Sequence, residues 1–137
     1  MTKPADILLA LHRAIEEGEH GDALARHFTD DAVTVEHPNL ISPRGGQHDL
    51  KAMLAGSERG AALLSSQEYR VQEIQEVEDV VIARLTWIGT VAVDVGPLTG
   101  GQKLRAHIAQ FATIRDGRIA HLETFDCYEP IPAAANA

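Results

Sequence analysis

The fold is decided near the carboxyl end, where residues 103–128 read KLRAHIAQFATIRDGRIAHLETFDCY. Apolar and polar side chains alternate on both sides of Asp116-Gly117, a pattern typical of two strands joined by a two-residue turn. Asp-Gly suits that turn because both of its positions need left-handed backbone dihedrals. The stretch therefore predicts a β-hairpin with strands at Lys103–Arg115 and Arg118–Tyr128.

The turn also predicts which side chains face each other across the hairpin. If Asp116 and Gly117 are the loop residues and no bulge intervenes, His107 lies opposite Asp126. A carboxylate fixes the tautomer of a neighbouring imidazole and raises its basicity, so this pair could transfer protons. The alternative is an ordinary cross-strand ion pair, which contributes about 0.2 to 1 kcal/mol. The same register gives this face the walls of a pocket, formed by Arg105, Ala109, Phe111, Leu122, Thr124 and Tyr128.

The opposite face of the predicted hairpin is also half apolar. A sheet that packs one face on helices and keeps a second apolar face usually covers that second face. We therefore expect a homodimer that packs through it. In the predicted register this face carries Ala106, Ile108, Gln110, Ile114, Ile119, Glu123, Phe125 and Cys127.

Helical segments are predicted before the hairpin. Apolar residues at helical spacing begin after Pro4 and stop at Gly18, which predicts a first helix. A shorter helical piece follows Gly21, and Asp30-Asp31 end it. A third helix is predicted over residues 50–56.

The remaining segments read as strands and loops. Alternation predicts a strand over 32–37, and the prolines and glycines of 39–46 indicate a loop. Two further strands are predicted over 67–76 and 80–94. The second of these is long for a globular sheet, so we expect a bend or bulge at Gly89.

Composition restricts the function classes. A chain of 137 residues that is 45% hydrophobic and 23% charged predicts one folded domain over residues 1–130, with 131–137 as a flexible tail. The net charge is −8 and the basic residues are scattered, which argues against nucleic acid as a partner. No apolar run approaches the ~20 residues that span a bilayer, and no signal peptide is recognisable. These features, with Cys127 as the single cysteine, predict a cytoplasmic protein without a membrane partner.

Two stretches of this sequence resemble NTF2-like, or SnoaL-like, proteins. They are residues 28–38, FTDDAVTVEHP, and residues 115–119, RDGRI, continued through 128–130, YEP. The order of helices, strand, helix and four-stranded meander is similar as well. The resemblance implies an α+β fold, the NTF2-like (cystatin-like) cone, with three N-terminal helices packed on a curved, mostly antiparallel sheet that encloses a pocket. Proteins of this fold include isomerases, cyclases, dehydratases, hydrolases and noncatalytic binders, so the resemblance does not fix a reaction.

One part of the resemblance concerns a catalytic base. Residues 35–38, VEHP, resemble the ketosteroid isomerase motif whose aspartate is the general base, with His37 at its position. Imidazole ordinarily titrates near neutral pH, which suits that role. The groups that stabilise the enolate in those isomerases are lacking, because the first helix offers Leu11 or His12 and the penultimate strand offers Ala109. Steroid isomerisation by that mechanism is therefore disfavoured.

The first hypothesis for function is an enzyme without a cofactor. His37 would take a proton from a small, mostly apolar or oxygenated organic molecule, while His107, oriented by Asp126, and Arg105 would polarise its oxygen. Isomerase, cyclase, dehydratase and hydrolase chemistry all fit this arrangement. Further contacts to the substrate are assigned to Trp87, Phe111, Leu122, Thr124 and Tyr128.

Two alternatives stay open beside the enzyme. The chain could be a noncatalytic ligand-binding or dimerisation domain, in which the same histidines form only hydrogen bonds. A metal site built from His37, His107 and Asp126 is the third hypothesis, because two imidazoles and a carboxylate suit zinc or iron. Their spacing matches no recognised metal motif, so we predict no metal.

Overall fold

A computed structural model describes residues 2–131 of the chain. In chain order the elements are helix α1 (Pro4–Glu16), a 3-10 helix (Gly21–His27), strands β1 (Phe28–Glu36) and β2 (Gly46–Asp49), helix α2 (Leu50–Leu63), and strands β3 (Leu64–Val77), β4 (Val80–Val91), β5 (Lys103–Arg115) and β6 (Arg118–Tyr128). The six strands form one sheet in the order β2-β1-β6-β5-β4-β3. Strands β1 and β6 are parallel, and every other neighbouring pair is antiparallel. The predicted α+β class and mostly antiparallel sheet are confirmed.

Helix α1 forms where the sequence predicts it. Pro4 occupies the first turn, where its missing N–H costs no hydrogen bond, and Asp6 complements the positive end of the helix dipole. Leu8 and Leu11, one turn apart along the buried stripe, pack into the core below the helix. Gly18 follows the helix with a φ of 90°, a left-handed conformation that glycine adopts without strain.

The other two helical segments differ from the prediction. The piece after Gly21 is a 3-10 helix, and β1 begins directly after it at Phe28, so Asp30 lies inside the strand. Helix α2 continues to Leu63, seven residues beyond the predicted end at Gly56. A glycine lowers helix stability by roughly 1 kcal/mol but does not by itself stop a helix that packs on its neighbours. The third helical segment therefore follows two strands, of which β2 was not predicted.

Helix α2 begins at a side-chain cap. The Oδ1 atom of Asp49 accepts a hydrogen bond of 2.9 Å from the backbone N–H of Ala52. This satisfies one of the N–H groups that have no partner in the first helical turn. Leu50, Met53 and Leu54 then pack against the core. The cap and these apolar contacts fix the helix over the sheet.

The bulge predicted at Gly89 is absent from the pairing of β4 with β5, which is continuous along its length. On the other side of β4, the pairing with β3 is irregular at two places, where Ser65 and Gln72 are extra residues of β3 opposite β4. Gly89 has a different reason to lack a side chain. A Cβ atom there would lie 2.4 Å from the indole ring of Trp87, which covers it.

A β-bulge changes the register of the β5–β6 hairpin. Next to the turn the predicted register holds, and Ile114 pairs with Ile119. Thr113 then pairs with His121, so Ala120 is an extra residue on β6. Because side chains alternate between faces, this shift by one residue exchanges the face of every later partner across the hairpin.

The bulge gives the sheet two faces that we name here. The inner face, which packs under the helices, carries Leu104, Ala106, Ile108, Gln110 and Ala112 of β5 with Leu122, Thr124, Asp126 and Tyr128 of β6. The outer face carries Arg105, His107, Ala109, Phe111 and Thr113 with His121, Glu123, Phe125 and Cys127. The bulge allows Ile119 and Leu122, three residues apart, to be buried on one side.

The described chain ends at Ile131, which packs against the core. The predicted flexible tail otherwise falls on residues 132–137, which lie outside the described residues, so that prediction stays a prediction. No helix within residues 2–131 is long and apolar enough to cross a membrane.

Candidate active site on the inner face

The structure separates the predicted pair of His107 and Asp126. His107 lies on the outer face, opposite Cys127, and its Nε2 atom is 2.8 Å from Oε2 of Glu129. Asp126 lies on the inner face, opposite Ile108. The predicted pairing is wrong because the extra residue in β6 moves these two side chains to opposite sides of the sheet.

His37 also lies on the outer side. Its ring stacks on Phe125, with centroids 4.1 Å apart, and its Nε2 atom is 2.7 Å from Oε2 of Glu123. His37 therefore meets neither Asp126 nor His107, and the hypothetical metal site of these three residues is not formed. Within residues 2–131 no group of three His, Cys, Asp or Glu side chains is placed to hold a metal ion.

The residues assigned to substrate contacts divide between the two faces. Arg105 and Phe111 are on the outer face, where the guanidinium Nε of Arg105 is 3.9 Å from Oε2 of Glu129. The edge of Phe111 meets Phe125. The structure brings the other four together on the inner face with Asp126, namely Trp87, Leu122, Thr124 and Tyr128.

A row of aromatic side chains crosses the inner face. Tyr69 of β3 pairs with Trp87 of β4, Trp87 with Ala106 of β5, and Ala106 with Tyr128 of β6. Trp87 and Tyr128 are two strands apart, yet their ring centroids lie 6.1 Å from each other in an edge-to-face arrangement. Since adjacent strands are about 4.8 Å apart, the rings lean together over Ala106, whose small side chain leaves the space.

Asp126 lies beside this row. Its Oδ1 atom accepts a hydrogen bond of 2.5 Å from Oγ1 of Thr124. It forms no ion pair with any residue that the structure describes. Burial raises the pKa of Asp126, the Thr124 hydrogen bond opposes that rise, and the charge of Glu36 adds to it. The site therefore holds a carboxyl group that is more basic than an exposed one.

The two tyrosines near Asp126 are hydrogen-bond donors in the site. Burial raises the pKa of Tyr69 and of Tyr128, and the negative charge of Asp126 raises both further. Both hydroxyls therefore keep their protons at neutral pH. A neutral phenol can donate a hydrogen bond to an oxygen of a bound molecule.

A buried histidine from α1 completes the polar groups. His12 is only 3% exposed, and its ring stacks on Tyr69 with centroids 4.4 Å apart. Its Nε2 atom is 2.8 Å from Oε1 of Gln110, so Nε2 carries the proton. Burial lowers the pKa of His12 and keeps the ring neutral. Its Nδ1 atom has no hydrogen-bond partner among the described residues and is left as an acceptor.

The sequence patterns assigned no chemistry to His12, Tyr69 or Gln110. The signal for His12 was present, because it follows Leu8 by one helical turn and adjoins Leu11 on the apolar stripe of α1. Gln110 was placed on the opposite face by the uncorrected register.

The inward residue near the end of β1 is Glu36. It pairs with Thr124 of β6, and its Oε2 atom accepts a 3.0 Å hydrogen bond from Nδ2 of Asn39. His48 is its nearest basic group, with Nε2 3.9 Å from Oε1. The position that the resemblance gave to His37 as an inward base is thus occupied by a carboxylate one residue earlier.

A groove on the side of the helices lies close to the aromatic row. It has a volume of about 540 Å³ and lies between the end of α1, the second half of α2 and the start of β3. Gln67 forms part of its wall and accepts a 3.1 Å hydrogen bond from the indole N–H of Trp87. The groove therefore adjoins the inner face at Trp87.

Sequence comparison places the chain in a family. The family model described as the SnoaL-like domain matches residues 8–122. The chain belongs to the SnoaL-like family. This confirms the resemblance to the NTF2-like superfamily. A search of curated proteins finds no significant match.

Solved structures show the same fold. IdmH, a putative polyketide cyclase from Streptomyces antibioticus, aligns with a TM-score of 0.74 and 23% identity over 91% of this chain and 92% of its own. AclR, a putative hydroxylase from Streptomyces galilaeus, aligns with a TM-score of 0.71 and 18% identity, covering 90% and 77% of the two chains. A Catenulispora acidiphila protein with a ketosteroid isomerase-like fold, solved in complex with trimethylamine, gives 0.69 and 19%, covering 90% and 86%. At these identities the likeness concerns the fold alone.

Proposed function

We propose that this SnoaL-like protein binds a small oxygenated organic molecule on the inner face and that Asp126 exchanges protons with it. The observation that carries the proposal is a half-buried carboxyl group without a basic partner, held by Thr124 next to neutral hydrogen-bond donors. Burial brings the pKa of Asp126 closer to neutral pH, which is the range in which a general base works best.

The chemistry that these groups support is removal of a proton from a carbon next to a carbonyl. The C–H bond breaks, the proton goes to the Asp126 carboxylate, and the electron pair moves onto the carbonyl oxygen. Tyr69 and Tyr128 then donate hydrogen bonds to the enolate oxygen, which lowers its energy in a sheltered site. Return of the proton at another atom gives isomerisation, and attack of the enolate on a second carbonyl gives cyclisation.

The structural neighbours support this reaction class. One neighbour is named as a putative polyketide cyclase, and polyketides are rich in carbonyl groups with acidic C–H bonds. The inner face of this chain offers apolar walls, two phenols and a carboxyl group, which suit such a molecule. The proposal requires no cofactor or metal, and it includes no nucleic-acid or membrane partner.

Deuterium exchange tests the proposal without knowledge of the natural substrate. A panel of β-ketoesters and aromatic ketones is incubated with the protein in deuterium oxide, and loss of the α-proton signal is followed by NMR. We expect enzyme-dependent exchange for at least one member, reduced by roughly 10²- to 10⁴-fold in Asp126→Asn, because a positioned base contributes about that factor. Glu123→Gln, on the outer face, is the matched control and should retain exchange.

The same assay separates catalysis from binding alone. A compound that binds without exchange in the wild-type protein would favour the noncatalytic binding domain. Equal exchange rates in wild type and Asp126→Asn would reject Asp126 as the base. If Glu123→Gln lost exchange to the same extent, the result would indicate that the outer face, and not Asp126, transfers the proton.

We also propose that the outer face forms a homodimer interface. Its centre is aromatic, with Phe111 against Phe125, and Phe125 is 39% exposed in the single chain. His37 stacks on this cluster and extends its apolar area. Exposed aromatic clusters on a sheet face are commonly covered by a partner, and a second copy presents the same surface.

Sedimentation velocity tests the dimer. Phe125→Glu should convert a dimer into a monomer, because it would bury two charges at the proposed interface. Val93→Glu, at another exposed apolar side chain outside the sheet strands, should leave the dimer intact. A wild-type protein that is monomeric at all concentrations would reject this part of the proposal. The cytoplasmic location expected from the sequence stays a prediction.

A further inference from the structure

The charged side chains that act on the inner face are acidic. Asp126 and Glu36 lie on it, and their charges raise the pKa of Tyr128. Glu16 lies at its helix side, where Oε2 accepts a 2.8 Å hydrogen bond from the backbone N–H of Tyr69. Within the part of the chain that the structure describes, no lysine or arginine lies among the inner-face residues of β1, β3, β4, β5 and β6.

The groove beside the inner face is also lined by acidic side chains. Its described lining contains Glu16, Glu17 and Glu19 and no lysine or arginine. Glu19 is paired with Arg26 at 2.6 Å, whereas the other two have no cationic partner among residues 2–131. The groove also begins at the carboxyl end of α1, which carries the partial negative charge of the helix dipole. These negative charges attract cations to the groove.

The aromatic row adds a second and independent feature. Trp87 and Tyr128 lean together edge to face, and Tyr69 follows Trp87 in the same row. The faces of indole and phenol rings attract cations, and groups of such rings recognise substituted ammonium ions. Asp126 lies two residues before Tyr128 on the same face of β6. Its carboxylate has no basic partner among the described residues, so it can pair with a cation that these rings hold.

We infer that the molecule bound on the inner face carries a substituted ammonium group, which lies between the Asp126 carboxylate and the rings of Trp87 and Tyr128. The inference rests on the proposed inner-face site and specifies the ligand class. An anionic ligand would meet Asp126, Glu36 and Glu16 with no lysine or arginine among the inner-face residues of β1 and β3 to β6 to offset them, and with only His48 beside Glu36.

A pair of isosteric probes tests this inference. Choline carries a quaternary ammonium group, and 3,3-dimethyl-1-butanol has the same shape without the charge. Trp87 is the only tryptophan of the chain, so its fluorescence reports binding at this site. We expect choline to change the Trp87 emission with at least about tenfold tighter binding than the alcohol, the factor that corresponds to 1.4 kcal/mol.

Charge-removing variants assign the preference to this site. Asp126→Asn should weaken choline binding about tenfold and leave binding of the alcohol unchanged. Glu36→Gln provides a second variant if Asp126→Asn does not fold. Asp116→Asn removes one carboxylate at the distant hairpin turn, where asparagine is also well accommodated, and should change neither affinity.

The possible results have distinct meanings. Equal binding of both probes, with a Trp87 response, overturns the ammonium preference and leaves the inner-face site standing. No Trp87 response to choline also overturns the inference. The deuterium-exchange assay uses neither probe, so it decides the proposed acid-base function separately.

Discussion

The two faces of the β5–β6 hairpin carry similar ionisable groups in opposite situations. On the outer face His37 and His107 each contact a glutamate, at 2.7 and 2.8 Å, and their side chains are 38% and 59% exposed. On the inner face Asp126 is held by a hydroxyl and has no basic partner within the described chain. The two outer histidines are paired and exposed to solvent, whereas the Asp126 carboxyl group has no ion-pair partner and is partly sheltered from solvent.

The difference in pairing and exposure between the two faces bears on where proton transfer can occur. An exposed pair exchanges hydration for a contact of similar energy, so it contributes little to stability. A sheltered carboxyl group without a counter-charge is held at a raised pKa, and perturbed groups of this kind cluster at functional sites. The two histidine–carboxylate pairs that do form, His37 with Glu123 and His107 with Glu129, lie on the exposed face and away from Asp126.

The largest expected difference between the faces is in packing. Leu85 and Arg84 are neighbours on β4 and point to the inner and outer side respectively. Leu85→Ala should lower the free energy of unfolding by about 2–5 kcal/mol, because Leu85 is 1% exposed and its loss leaves a cavity. Urea denaturation measures this. Arg84→Ala, which removes an exposed ion pair with Glu73, should cost no more than about 1 kcal/mol, and equal losses would contradict the assignment of the faces.

A smaller difference is expected for hydrogen bonds. Gln110→Ala should lower the free energy of unfolding by about 1–3 kcal/mol, because it leaves the buried Nε2 of His12 without its partner. Glu129→Ala breaks the corresponding contact to His107 on the outer face, where water replaces the lost partner. Urea denaturation of both variants checks the prediction. A Glu129→Ala loss as large as that of Gln110→Ala would show that the outer contact is also sheltered.

Local signals in the sequence were sufficient for much of the fold. The Asp116-Gly117 turn gave the bounds of β5 and β6 correctly, and helical periodicity located α1. The register beyond the turn was wrong because a bulge depends on packing against the opposite layer. One trace of it is visible in the sequence, since Ile119 and Leu122 are three residues apart where strict alternation requires two or four.

The candidate site was predictable only in part. Thr124, Asp126 and Tyr128 share a face in either register, because they alternate along one strand. Their partners on β5 could not be identified once the bulge was missed, so His107 was placed opposite Asp126, where the structure has Ile108. The contact of His12 with Gln110 joins residues 98 positions apart, and no local pattern encodes such a contact.

The pH dependence of stability should also distinguish the faces. Because the pKa of Asp126 is raised in the folded chain, its contribution to stability is full below the unfolded pKa, about 3.9, and is lost as pH rises through the folded value. The side chain introduced by Asp126→Asn carries no charge, so the variant does not lose this stability as pH rises. Differential scanning calorimetry should therefore show a higher Tm for Asp126→Asn than for wild type at pH 8. The gain should shrink toward pH 4, and a gain that grows on acidification would contradict the raised pKa.

The smallest expected effect concerns the contact of His37 with Glu123 on the outer face. In the monomer, Glu123→Gln should change the free energy of unfolding by about 0.2–1 kcal/mol, because both side chains are about one third exposed and water replaces the lost contact. Urea denaturation at several protein concentrations measures it. A loss above about 2 kcal/mol that appears only at high protein concentration would mean that a second copy covers this pair. A contact that is exposed to solvent in one chain becomes sheltered in a dimer. The same result at all concentrations would contradict the exposure of the outer face in the single chain.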